Sequence, residues 1–211
     1  MWTPAFSKTP LLGILRGLKP EEAEPVVELC ARRGLAAVEV TLNTEGALGL
    51  IERMRKAADG RMLVGAGTVL SLDAMRDARA AGAEFVVSPV FVPEISEECA
   101  KLGVPNFPGA LTPQEVFAAW KAGAEMVKVF PAGAFGPSYI SDLRGPFDDI
   151  PLMAVGGVNE RNAAEFFRRG VSGVACGASV FRREWLAAGD FASVEEALGR
   201  LADAVREAVK S

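Results

Sequence analysis

Short apolar segments rich in β-branched residues recur along the chain, with starts about 19 to 26 residues apart. They cover residues 11–15, 36–41, 62–67, 85–89, 104–109, 126–130, 152–157 and 173–177. Between most of them apolar residues return at helical spacing, as in 21–33, 72–81, 93–101, 113–121 and 160–169. The stretch 194–209 places Val194, Leu198, Leu201, Val205 and Val209 on one face and predicts an amphipathic helix. Strands alternating with helices at this spacing predict βα units around a parallel sheet. Eight units in 211 residues suit a small (β/α)8 barrel forming one domain over residues 1–211. An open doubly wound sheet is the alternative. Pro25 falls inside the first predicted helix and is expected to kink it.

A weak internal repeat favours the barrel. Gly34, Gly82, Gly123 and Gly170 each end a helical stretch, and Val38, Val86, Val127 and Val174 follow four residues later. The next positions are Glu39, Val87, Lys128 and Ala175; two beyond those are Thr41, Pro89, Phe130 and Gly177. Side chains alternate faces along a strand. If the valines face the helices, the other two sets point into the barrel. Glu39 and Lys128 then share an interior layer. Thr41, Pro89 and Phe130 lie one layer nearer the C-terminal mouth, where barrel active sites form.

Composition narrows the chemistry. The chain has no histidine and one tyrosine, Tyr139. A Ser-His-Asp triad, a Cys-His pair and a histidine-ligated metal site are therefore excluded within it. Proton transfer near neutral pH falls to a carboxylate, lysine, tyrosine or cysteine with a shifted pKa, or to the substrate. Cys30, Cys99 and Cys176 are odd in number and far apart, which fits neither a disulfide framework nor a CxxC site. A net charge of −4 without a basic stripe gives no reason to expect nucleic acid. No apolar run is long enough to span a bilayer, and the N-terminal residues lack a signal-peptide core. A cytoplasmic location is the expectation.

Lys128 stands apart from the other six lysines, which occupy terminal, loop or helical contexts. Its apolar strand removes the ammonium from water and favours the neutral amine. A neutral amine can attack a carbonyl and form a Schiff base. The alternative is a structural lysine paired with a buried acid. Glu39 lies in a similar strand: burial raises its pKa and a nearby ammonium lowers it. A carboxylate so poised can shuttle protons; the alternative is a buried ion pair with Lys128 and nothing more.

The segments Gly156-Gly157 and Gly177-Ala178-Ser179 close the seventh and eighth strands, where barrels often bind phosphate on backbone amides. Tight turns without a ligand are the alternative. Thr68 ends Gly65-Ala66-Gly67-Thr68 at the mouth. Arg16 closes the first strand and could grip a carboxylate or form a salt bridge at the rim. Asp148 and Asp149 are expected in a solvated loop. Glu84 and Glu125 precede their strands and should face solvent or the barrel floor.

The motifs Val38-Glu39-Val40-Thr41-Leu42, Gly65-Ala66-Gly67-Thr68-Val69, Ser88-Pro89, Val127-Lys128-Val129-Phe130-Pro131 and Gly156-Gly157-Val158 occur in order over nearly the whole chain. In these the sequence resembles the 2-keto-3-deoxy-6-phosphogluconate (KDPG) aldolase family, which includes 4-hydroxy-2-oxoglutarate (KHG) aldolase activity. The resemblance implies a class I aldolase on a (β/α)8 barrel, usually a homotrimer, without metal or cofactor. It implies that Lys128 forms the Schiff base and Glu39 is the general acid–base. It places Thr68 and Arg16 near the pyruvate carboxylate and Pro89 and Phe130 in the pocket wall. Gly156, Gly157 and Ser179, with Gly177 beside them, match the phosphate-side loops.

Asn43 departs from this pattern, since many KDPG aldolases have arginine there. The Leu42-Asn43 pair resembles the related 2-keto-3-deoxy-6-phosphogalactonate (KDPGal) aldolases, as does Ala134-Phe135-Gly136-Pro137 followed by Tyr139-Ile140. The configuration preferred at C4 therefore stays open. Two readings of other classes remain beside the aldolase. One is a phosphate-binding barrel isomerase or epimerase, and the other a barrel that binds metabolites without turning them over.

Overall fold

The structure, a computed structural model, describes residues 2–210; Met1 and Ser211, included in the expected domain range, lie outside the described residues. Its strands are β1 (Leu11–Leu15), β2 (Ala37–Thr41), β3 (Leu63–Gly67), β4 (Val86–Val87), β5 (Asn106–Phe107), β6 (Gly109–Ala110), β7 (Val127–Val129), β8 (Leu152–Val155) and β9 (Gly173–Cys176). All pair in parallel, in the order β5-β4-β3-β2-β1-β9-β8-β7-β6. The two ends of this order are the two halves of one barrel strand. Asn106 and Phe107 pair with β4, and Gly109 and Ala110 pair with β7. Pro108 stands between the halves, where it lacks an amide to donate, and its carbonyl accepts from the Lys128 amide at 2.9 Å. The fold is thus a (β/α)8 barrel, and the fifth strand, expected as a single run over 104–109, is interrupted at its proline.

The helices are α1 (Pro4–Lys8), α2 (Ala23–Arg32), α3 (Ala47–Ala58), α4 (Leu72–Ala80), α5 (Pro93–Leu102), α6 (Pro113–Lys121), α7 (Ala132–Phe135), α8 (Pro137–Arg144), α9 (Ala163–Arg168), α10 (Arg183–Ala187) and α11 (Phe191–Lys210). Local signals set several starts. Ser71 accepts from the Ala74 amide ahead of α4, and Thr112 and Glu115 form a reciprocal capping box ahead of α6. Pro25 is the third residue of α2, following a 3-10 turn over Pro20–Glu22. In the first turn its missing amide has no intrahelical acceptor to lose, so the expected interior kink does not arise.

Two apolar cores result from strand alternation. Val38, Val86, Val127 and Val174 face outward and pack with the buried faces of α2, α3 and α11. Leu12, Val87, Met153 and Ala175 point inward and form a separate interior core with Phe85 and Phe107. Phe6 of α1 is fully buried in it, and Trp2 packs edge-on against Phe85 and Phe107. Phe6 alone removes enough apolar area from water to contribute about 2–3 kcal/mol. The inward face of the repeat also carries Glu39 and Lys128, as the register requires.

Candidate active site

A cavity of about 930 Å³ is lined by residues from the C-terminal ends of the strands and the loops that follow them. Lys128 is the central residue of β7, flanked in the sheet by Gly109 and Met153. Glu39 is the central residue of β2, flanked by Ile14 and Gly65. Lys128 is 5% exposed and Glu39 1%. No ion pair within 4.0 Å joins them, and Glu39 Oε2 has no hydrogen-bond partner among the described residues.

The two groups bias each other. Burial pushes the Glu39 carboxyl above its usual range, while the charges of Lys128 and Arg16 pull it back. Burial pushes the Lys128 ammonium below its usual range; Glu39 opposes this and Arg16 adds to it. The Lys128 amine also lies 5.3 Å from the centroid of the Phe130 ring. Both groups are thus moved toward their neutral forms. Their separation argues against the simple buried ion pair that the sequence left open.

Arg16 is exposed at the end of β1 and has no carboxylate within 4.0 Å among the described residues, so the rim salt bridge entertained from the sequence is not formed with any of them. Thr68 follows β3 with φ of +56°. A β-branched residue in the left-handed region is strained, and such strain tends to sit at functional sites. Asn43 is exposed on the loop after β2, Pro89 follows β4, and Phe130 is 40% exposed after β7. Gly156 and Gly157 follow β8 with φ of +90° and +77°, a path that side chains other than glycine rarely take. The Ser179 hydroxyl donates to the Val158 carbonyl at 2.9 Å, bracing the loop after β9 against the loop after β8. Among the described residues, no group accepts from the amides of Gly157, Ala178 or Ser179. Unpaired amides on two adjoining glycine-bearing loops suit an anion.

The eleven residues expected to act on or hold a substrate line this cavity: Lys128, Glu39, Arg16, Asn43, Thr68, Pro89, Phe130, Gly156, Gly157, Gly177 and Ser179. Thr41, expected near the mouth, is buried and does not line it. The sequence reading also missed wall residues. Ile14 and Ala175 follow from strand alternation, whereas Arg183 and Phe181 come from the segment after β9, where no periodic pattern marks them. Among the described residues, no group of three His, Cys, Asp or Glu side chains is placed to hold a metal ion.

Known proteins resemble this chain in sequence and in fold. The family model for KDPG and KHG aldolase matches residues 4–197. A probable 2-dehydro-3-deoxy-6-phosphogalactonate aldolase of Rhizobium meliloti (strain 1021) is 40% identical over 182 residues, 86% of this chain and 85% of its own. A native KDPGal structure superposes with a TM-score of 0.90 at 33% identity, covering 96% of this chain and 97% of that one. KDPG aldolase from Legionella pneumophila, with pyruvate captured at low pH as a covalent carbinolamine intermediate, gives a TM-score of 0.86 at 27% identity, covering 93% and 96%. With this match over most of its length, the chain belongs to the KDPG and KHG aldolase family.

Proposed function

We propose that the protein is a class I aldolase that reversibly cleaves a 2-keto-4-hydroxy acid to pyruvate and an aldehyde, with Lys128 as nucleophile and Glu39 as proton shuttle. The observation that carries this reading is the Lys128 amine, buried in the cavity beside Glu39 yet not ion-paired with it. Burial lowers the cost of its neutral form, and only the neutral amine attacks.

The Lys128 amine adds to the C2 ketone and gives a carbinolamine. Glu39 donates a proton to the departing hydroxyl, and water leaves as the iminium forms. Glu39, now a carboxylate, accepts the proton of the C4 hydroxyl. The C3–C4 bond breaks, its electrons flow into the iminium, and an aldehyde and an enamine result. Protonation at C3 and addition of water then release pyruvate and the free amine. The raised pKa of Glu39 suits it to alternate between acid and base. The covalent cation serves as the electron sink, so the proposed reaction needs neither metal nor cofactor.

Arg16 and Thr68 bind the carboxylate next to the reacting ketone. Pro89 and Phe130 form the apolar walls. Gly156, Gly157, Gly177 and Ser179 take the anionic tail through their loop amides. The substrate is KDPG, yielding glyceraldehyde 3-phosphate, and/or KHG, yielding glyoxylate. A second reading, KDPGal, is favoured by Asn43, which puts a neutral amide on the cavity wall where many KDPG aldolases carry arginine. We further propose one domain over residues 1–211, a homotrimer and a cytoplasmic location; the three free cysteines support the last. No helix among the described residues is long and apolar enough to cross a membrane. The deciding experiment compares pyruvate release from KDPG, KDPGal and KHG. Release from at least one is expected, and isomerisation of a sugar phosphate without pyruvate release would overturn the proposal.

A further inference from the structure

Gly17 follows Arg16 and has φ of +67°. Side chains from two other parts of the chain, Thr44 and Arg183, take both of its backbone polar groups. Its amide donates to Thr44 Oγ1 at 2.9 Å, and its carbonyl accepts from Arg183 Nη1 at 2.8 Å. Thr44 belongs to the loop after β2, and its hydroxyl lies 3.0 Å from that of Thr41. Thr41 in turn donates to the Leu15 carbonyl at 3.4 Å, which leaves Thr44 as the donor between the two threonines. Thr41, absent from the cavity wall, is thus committed to holding the loops.

Arg183 begins α10, beyond the loop that follows β9. Its guanidinium forks onto Glu22: Nη1 lies 2.7 Å from Oε2, and Nη2 bonds Oε1. Glu22 is 3% exposed and also accepts from the Lys19 amide at 2.8 Å. A bidentate arginine–carboxylate pair fixes geometry as well as charge. The two cavity arginines therefore differ. Arg183 has its charge matched by Glu22, whereas Arg16 has no acid within 4.0 Å among the described residues. A cation without a partner of its own must be aimed by the backbone that carries it, and here that backbone is fastened through Gly17.

We propose that Arg183 is a positioning residue: held by Glu22, it clamps Gly17 and so fixes Arg16 in the cavity to receive the keto-acid carboxylate. This rests on the reading that Arg16 binds that carboxylate. Lost clamping should weaken capture of pyruvate more than it slows chemistry at Lys128.

The test follows deuterium exchange into the pyruvate methyl group by NMR, a partial reaction needing only pyruvate and the full-length protein. Arg183→Met should raise half-saturating pyruvate about 10-fold while the maximal exchange rate stays within about threefold. Arg183→Lys, which keeps a charge for Glu22 but not the fork, should raise it about threefold. In an Arg16→Met background, adding Arg183→Met should shift half-saturation less than about twofold, because Arg183 acts through Arg16. Equal shifts in both backgrounds, or unchanged half-saturation in Arg183→Met, would overturn the proposal. If Arg183→Met does not fold, Arg183→Lys decides by the same criterion. Wild-type half-saturation in Arg16→Met would remove the role of Arg16, and this proposal with it, while leaving Lys128 chemistry intact. Absence of exchange in the wild type would overturn the aldolase reading itself.

Discussion

A methyl group on Gly67 would stand 2.3 Å from Glu39 Oε1 and 2.5 Å from its Cδ. Gly67 on β3 is therefore the space into which the Glu39 carboxyl folds. Gly67→Ala should leave a folded barrel, destabilised by about 1–3 kcal/mol through overpacking. Turnover should fall about 10- to 100-fold because the displaced carboxyl no longer meets its proton donors and acceptors. Denaturant unfolding and steady-state cleavage check both expectations. Wild-type turnover in Gly67→Ala would show that the position of Glu39 is not critical.

Glu39→Gln keeps the shape and removes the exchangeable proton. Turnover should drop by at least about 100-fold, with Lys128 unchanged. A turnover close to wild type would remove Glu39 from the mechanism.

The same variant carries a pH signature. The folded-state pKa of Glu39 lies above its ordinary value of 4.5. Between those two values the native protein binds more protons than the unfolded chain, so the stabilising contribution of Glu39 is present below pH 4.5 and is lost as pH rises through the folded value. Relative to wild type, Glu39→Gln should gain stability from pH 4 to pH 7. Denaturant midpoints across that range measure the difference, and an opposite trend would mean that Glu39 is held as a stabilised carboxylate.

Thr68→Gly should relieve the left-handed backbone strain, raising stability by up to about 1 kcal/mol after the entropic cost of glycine. Loss of the hydroxyl should raise half-saturating pyruvate. Thr68→Ser, which restores the hydroxyl, should recover most of the affinity in the same exchange assay. If Thr68→Gly binds pyruvate as the wild type does, Thr68 has no part in the carboxylate site.

Much of this was legible in the chain itself. The valines after Gly34, Gly82, Gly123 and Gly170 fix which strand face meets the helices, and that alone places Glu39 and Lys128 inside the barrel. The break at Pro108 is not legible in the pattern, because the apolar run continues through the residue that cannot donate to the ladder. The partner of Arg183 was not legible either: Glu22 lies 161 positions away, and only barrel closure brings them together. Thr41 lies on the expected strand, but the destination of its hydroxyl depends on Thr44 and Leu15, which local pattern does not encode.

The most direct test is borohydride reduction of the protein in the presence of pyruvate, followed by peptide mass mapping. A single reduced pyruvyl adduct on Lys128 is the predicted result, abolished in Lys128→Ala. No adduct, an adduct on another lysine, or an adduct that survives Lys128→Ala would contradict the assignment of Lys128 as the nucleophile.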